Sequence, residues 1–193
     1  MTKFLNVHDI LKSSLSNGPF ERYCIWLQGC NKKCVGCFNP ESHDPNKKNK
    51  IKISTIIDDI ISVKDKIEGI TISGGEPLLQ LKGLIKMLST LKEITNLGII
   101  LLTGFDINEL ISLNKYRTLV KLTDCIIYGP FLLEKKVNYG LVGSSNKKVF
   151  LSTERYNEDL IISSPISELI IDSTGTICIS GVEPSIFSKG YIK

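Results

Sequence analysis

No stretch of the sequence approaches the ~20 consecutive apolar residues of a membrane-spanning helix, so no membrane partner is expected. Met1 to Leu15 mixes Lys3, His8, Asp9 and Lys12 with apolar positions and holds no apolar export segment. There is no internal repeat and no low-complexity tract, and histidine and tryptophan are scarce at two and one residues. Charge of one sign is barely in excess: 24 basic against 20 acidic residues leave +4, too little for a dedicated nucleic-acid surface. The local basic run "NKKNK", Asn46 to Lys50, reads as a solvated loop. What is present is one domain's worth of chain, 193 residues of which 42% are hydrophobic. The expected division is a single domain over 1–193, with a core over about 17–150 and a C-terminal extension over about 151–193. Six cysteines without an export signal point to the cytoplasm, where clustered thiols more often bind metal than pair.

Apolar strands alternate with amphipathic helices. Ser54–Ile67 places Ile56, Ile57, Ile60, Ile61 and Lys64 at helical spacing, with Ser54 or Thr55 as N-cap. Leu81–Ile94 repeats apolar residues at helical spacing, and Asp106–Leu113 restarts a helix behind an Asp cap. Gly69–Ser73, Gly98–Thr103 and Cys125–Tyr128 read as buried strands, apolar on both faces as parallel strands are. The pattern predicts an α/β fold with mostly parallel strands, whose ligands collect at the strands' C-terminal ends. "SGGEP", "TGF" and "YGPF" follow the three strands in turn, which suggests one shared site at one rim. Leu141–Phe150 reads as a loop and then a strand, and Glu168–Ser180 as a C-terminal β-hairpin around "DSTG".

"GCNKKCVGCFNPE", Gly29 to Glu41, holds Cys30, Cys34 and Cys37. A buried helical stripe would need a helix, and Gly29, Gly36 and Pro40 oppose one. A structural zinc site takes four ligands, usually from paired Cys-x-x-Cys units; none follows here, although His43 is available as a fourth donor. A cubane iron–sulfur cluster normally takes four thiolates, so three leave one iron open to a reacting ligand. Cys24, Cys125 and Cys178 stand alone and read as buried or bystander thiols. His8 and His43 read as surface residues, and Trp26 as a core residue shielding the loop from water.

Cys30-x-x-x-Cys34-x-x-Cys37 after an apolar strand resembles the signature of the radical S-adenosylmethionine superfamily. That resemblance implies a partial (β/α) barrel and one 4Fe-4S cluster, ligated by these cysteines, whose open iron chelates S-adenosyl-L-methionine. An electron from the cluster then cleaves the sulfonium to a hydrogen-abstracting 5′-deoxyadenosyl radical. Gly36 stands where the residue before the third cysteine is often aromatic. The "GGEP" element, Gly74, Gly75, Glu76 and Pro77, matches the superfamily element that contacts the cofactor's amino group. The two glycines permit close backbone approach and exposed amides; a plain turn with Glu76 at a helix N-terminus is the simpler alternative. An electron carrier or zinc module would not need this element.

"NGPFERYCIWLQGCNKKCVGCFNPE", "TISGGEPLLQ", "IIYGPF" and "GSSNKKV" together resemble glycyl-radical-enzyme activases, in particular anaerobic ribonucleoside-triphosphate reductase activating proteins. The resemblance spans about 17 to 150. Asn17 replaces an acidic residue, Phe20 a glycine, Tyr128 an aspartate and Lys147 a glutamine. It implies a large glycyl-radical enzyme as partner and reduced flavodoxin or ferredoxin as electron donor. Thr103 and Gly104 fall where ribose contacts lie, or form a simple turn. Ser144, Ser145 and Asn146 contact cofactor or partner loop, or form a polar turn. The alternative is a small single-cluster enzyme modifying a peptide or small molecule.

Overall fold

The computed structural model describes residues 2–47, 49–171 and 174–182. In chain order it runs β1 (Phe4–Ser14), β2 (Arg22–Leu27), β3 (Lys50–Lys52), α1 (Ile53–Val63), β4 (Gly69–Gly74), α2 (Leu81–Ile94) and β5 (Gly98–Leu102). There follow α3 (Ile107–Ser112), α4 (Tyr116–Leu122), β6 (Cys125–Tyr128), β7 (Lys148–Leu151), α5 (Glu158–Ile162), β8 (Ser167–Ile171) and β9 (Ile177–Gly181). Seven strands form one sheet in the order β3-β1-β2-β4-β5-β6-β7. The central four, β2, β4, β5 and β6, are mutually parallel, and β1, β3 and β7 add antiparallel margins. The parallel centre follows from the sequence: Ile70, Ile72, Ile99, Ile100, Leu101, Ile126 and Ile127 are buried from alternating faces. One face is covered by Ile56, Ile57 and Ile60 of α1 and by Leu84, Met87, Leu88 and Leu91 of α2. Among the described residues no helix is long and apolar enough to cross a membrane.

Helix α1 departs from its expected bounds. It begins at Ile53, and Lys52 at the cap position makes no side-chain cap bond. Neither Ser54 nor Thr55 is the cap, because the Ile53 amide donates to the Lys3 carbonyl of β1 at 3.0 Å. The neighbouring strand thus satisfies an amide that a serine would otherwise take. The helix ends at Val63 and tightens into a 3-10 turn over Lys64–Lys66. By contrast, Asp106 caps α3 in a full capping box with Glu109.

Strands β8 and β9 form a separate antiparallel hairpin, with Leu169 opposite Ile179. The turn residues 172–173 lie outside the described residues. The hairpin docks on the segment before β2. Glu168 accepts from the Leu15 amide at 2.9 Å and the Ser16 hydroxyl at 3.0 Å, and Asn17 Nδ2 donates to Ser180 Oγ at 2.8 Å.

In the same segment Phe20 has φ +61°, the left-handed region, and its side chain is exposed. A phenylalanine there carries roughly 1 kcal/mol of backbone strain with little burial in return. Phe20→Gly is therefore expected to leave stability unchanged or raise it by up to about 1 kcal/mol, measured as a shift in the urea midpoint at constant slope.

Candidate functional site

The loop after β2 is closed at its neck by its own backbone. Gly29 N donates to Ser42 O at 2.7 Å and Cys30 N to His43 O at 3.0 Å. Gln28 Nε2 donates to the carbonyls of Glu41 and Asp44, at 3.2 and 2.9 Å, from inside the neck. Within the loop, backbone amides already serve two of the sulfurs: Lys32 N lies 3.4 Å from Cys30 Sγ and Asn39 N 3.4 Å from Cys37 Sγ. Such bonds favour the thiolate, the form that binds metal. Burial raises the Cys37 pKa, and the Asn39 amide opposes that shift. Lys33, at φ +48°, takes a left-handed turn between the first two cysteines.

The "GGEP" turn is built onto this loop. Gly75 N donates to Leu27 O at 2.7 Å and Glu76 N to Gly29 O at 2.8 Å. The Gly75 amide is thus engaged by the protein, which corrects the expectation that it is exposed for a ligand. A Cβ on Gly74 would lie 2.2 Å from Leu27 N, and one on Gly75 would lie 2.3 Å from Gly29 O. Both glycines are demanded by the close approach of β4's end to the cysteine loop.

Glu76 is buried, and both of its carboxylate oxygens accept hydrogen bonds. Oε1 accepts from Leu78 N at 3.0 Å and Thr103 Oγ1 at 2.7 Å, and Oε2 accepts from Gly104 N at 2.8 Å. It therefore caps the 3-10 turn Pro77–Gln80 and brackets the end of β5. Burial pushes its pKa up, against the pull of these three donors. From the other side, Lys32 reaches out of the cysteine loop to Glu109 of α3, with Nζ 2.6 Å from Oε2 and over the Phe105 ring. That ion pair, on the half-exposed Glu109, holds its carboxyl below the usual range.

These elements enclose a cavity of about 500 Å³ at the C-terminal ends of β2, β4 and β5. Cys30, Cys34 and Cys37 all open onto it, together with Gly74, Gly75, Glu76, Thr103 and Gly104. Four expected residues, Pro77, Ser144, Ser145 and Asn146, are not on its wall. Pro77 is buried at the first position of the 3-10 turn; Asn146 donates to Pro130 O at 2.8 Å; Ser144 is buried behind the wall. The exposed Ser145 sends its amide to Lys135 O at 2.8 Å, so these three residues shape a turn. Ser144 Oγ and Asn146 Oδ1 are buried with no hydrogen-bond partner among the described residues.

Other wall residues were not legible as such. His8 and His43 are half-buried and face the cavity, not solvent; His8 Nδ1 is 2.9 Å from Gln28 Oε1 and His43 Nε2 is 3.2 Å from Cys37 Sγ. Trp26, half-buried, lines the wall. Cys24 and Cys125 are buried, with pKa values pushed up to about 12 by burial, but Cys178 is exposed on the hairpin and lines the cavity. Lys147 also lines it, where its side chain was expected only as a departure from a family pattern.

The donor set fits an iron–sulfur cluster. None of the three thiols is in a disulfide, two accept amide bonds, and all face one cavity. Among the described residues no three Cys, His, Asp or Glu side chains converge to hold a single metal ion. A cubane distributes its thiolates over separate irons.

Comparison with known proteins agrees. A family model described as a 4Fe-4S single cluster domain matches residues 16–150. Pyruvate formate-lyase-activating enzymes of Staphylococcus aureus strains USA300, NCTC 8325 and N315 are each 31% identical over 93 residues, 46% of this chain. The match spans 37% of the length of those relatives. The family match covers the cysteine loop, the "GGEP" turn and all four parallel strands, and the chain belongs to the family of 4Fe-4S single cluster domains.

Proposed function

We propose that the chain is a radical S-adenosylmethionine activase that generates a glycyl radical on an anaerobic ribonucleoside-triphosphate reductase. The observation that carries this reading is the joining of two motifs: the three-cysteine loop and the "GGEP" turn share backbone hydrogen bonds and open onto one cavity. The likeness to glycyl-radical-enzyme activators supports the reaction class. The choice of reductase rests on the segments around Tyr128 and Ser144. The open α/β sheet then corresponds to a partial barrel of the superfamily type.

In this reading Cys30, Cys34 and Cys37 hold the cluster. When bound, the reduced cluster supplies the electron for reductive cleavage of S-adenosylmethionine. The chain's own contribution is placement. Glu76 fixes Thr103 and Gly104 on the cavity wall, within reach of a cofactor beside the thiols. Phe38 and Phe131 form a tilted pair, 4.6 Å between ring centroids, and give the cavity an apolar side that excludes water from a reactive intermediate. Reduced flavodoxin or ferredoxin is the electron donor in this scheme.

Anaerobically reconstituted protein should contain one 4Fe-4S cluster per chain. Given a reductant and S-adenosylmethionine, it should release 5′-deoxyadenosine and methionine. Cys34→Ala should abolish release, because one iron loses its thiolate. With the reductase added, a doublet in the electron paramagnetic resonance spectrum should collapse when the partner carries α-deuterated glycine. A fully active Cys34→Ala protein would refute the ligand assignment. Modification of a peptide or small molecule without any protein radical would replace the activase reading by that of a small single-cluster modifying enzyme.

A further inference from the structure

Among the described residues two lysines line the cavity, and they differ in what compensates them. Lys32 is spoken for: Glu109 binds its ammonium at 2.6 Å, and the Phe105 ring covers it. Lys147 follows the Ser144–Asn146 turn, and among the described residues its ammonium has neither a carboxylate partner nor a hydrogen bond. Burial pushes the Lys147 pKa down, and Glu76, Cys34 and Cys37, the acidic groups in its surroundings, pull it back up. Glu76 forms no ion pair with it among the described residues, its oxygens being engaged by Leu78, Thr103 and Gly104. Cys34 and Cys37 add negative charge there once they bind iron as thiolates. Lys147 is also held in place: its amide donates to Ser144 O at 3.1 Å, and Gly129 packs against its backbone. An ammonium partly withdrawn from water without an ion-pair partner is costly, and that cost is offset once an anion occupies the cavity.

We propose that Lys147 is an electrostatic positioning residue: its ammonium shares the cavity with Cys34 and Cys37 and raises the reduction potential of the cluster they hold. The proposal rests on those cysteines being ligands. A cluster held by three thiolates is anionic and gains one more negative charge on one-electron reduction. A fixed cation beside it favours the reduced form, and a neutral side chain in its place favours the oxidised form.

The test is a redox titration of the reconstituted full chain, without S-adenosylmethionine. The cluster is poised with dithionite and mediators, and the reduced cluster is counted by electron paramagnetic resonance. Lys147→Met and Lys147→Gln should titrate at a more negative potential than the wild type. At a fixed solution potential, their ratio of reduced to oxidised cluster should fall on the order of tenfold. Lys147→Arg should stay at the wild-type value, because charge is kept. Iron and sulfide content reads the ligand assignment separately: a wild-type chain with no cluster, or Cys34→Ala with an intact one, overturns that assignment. If the neutral variants hold wild-type iron and sulfide and titrate at the wild-type potential, Lys147 has no such role. If both neutral variants lose the cluster while Lys147→Arg keeps it, the charge acts on assembly and not on the potential, and the proposal is overturned. Loss in all three overturns it, since side-chain shape and not charge would then be at work.

Discussion

Gly75→Ala is expected to destabilise the cluster-free protein by about 3 kcal/mol and to strip the reconstituted protein of most of its iron and sulfide. The added methyl would sit 2.3 Å from Gly29 O, 2.7 Å from Gly29 C and 2.9 Å from Ser42 O. All three are backbone atoms, so no side chain can swing aside. Relief requires the end of β4 to part from the cysteine loop, which breaks the bonds from Gly75 N to Leu27 O and from Glu76 N to Gly29 O. Because Cys30 follows Gly29 directly, the first thiol moves with the damage. Gly104→Ala is the control. Its methyl would meet Lys32 Cγ at 3.2 Å and Glu76 Oε2 at 3.4 Å, contacts that a flexible lysine relieves. It should cost under ~1 kcal/mol and leave iron content unchanged. Urea denaturation gives the first quantity and iron and sulfide analysis the second. A Gly75→Ala protein as stable and as iron-rich as Gly104→Ala would contradict the geometry of the turn.

That contrast also shows what the sequence could convey. Continuous apolar runs locate β4, β5 and β6 to within a residue, and the apolar period of α2 gives the observed bounds Leu81–Ile94, because both signals are local. The capping box at Asp106 is equally local. The start of α1 was misread because its first amide is satisfied by Lys3, fifty residues earlier, which no local pattern encodes. The three cysteines and the "GGEP" turn were legible as motifs, but their physical coupling was not. Gly75 and Gly104 look alike in sequence and differ only in what lies across from them. The same holds for His8, His43, Cys178 and Lys147, which reach the cavity from four separate segments. Glu76 is the instructive case. Its position in the motif suggests a ligand contact, while the structure shows a carboxylate that caps its own turn through Leu78 and holds the next strand's end through Thr103 and Gly104.

Removing the Arg22 side chain should have the largest effect on stability of any substitution away from the cavity. Its guanidinium is completely buried at the start of β2. Nε donates to Thr71 Oγ1 at 2.7 Å; Nη1 donates to Glu68 Oε2 at 2.6 Å and Tyr156 OH at 2.9 Å; Nη2 donates to Ile70 O at 2.9 Å and Gly98 O at 3.1 Å. Glu68 is tied in turn to Arg155 Nε at 2.6 Å and Tyr156 OH at 2.6 Å. One cation therefore joins β2, β4, the start of β5 and the segment before α5. Gly18 and Gly69 make room for it, since a Cβ on either would fall 2.7 Å from the arginine side chain. Arg22→Ala leaves Glu68 without its buried counter-charge and several carbonyls without a donor, and should cost about 3–5 kcal/mol, a large share of a typical domain's stability. Arg22→Lys should recover little of this, because a single ammonium cannot span acceptors on three elements; a loss above ~2 kcal/mol is expected. The effect should reach the cavity. Thr71 Oγ1, which accepts from Arg22, donates at 2.6 Å to the carbonyl of Asn17, the residue that holds Ser180 of the hairpin. Hydrogen exchange should therefore show faster opening in β9 as well as in β2 of Arg22→Lys. Faster exchange in β2 alone, with β9 at the wild-type rate, would mean that the hairpin docks independently of this network.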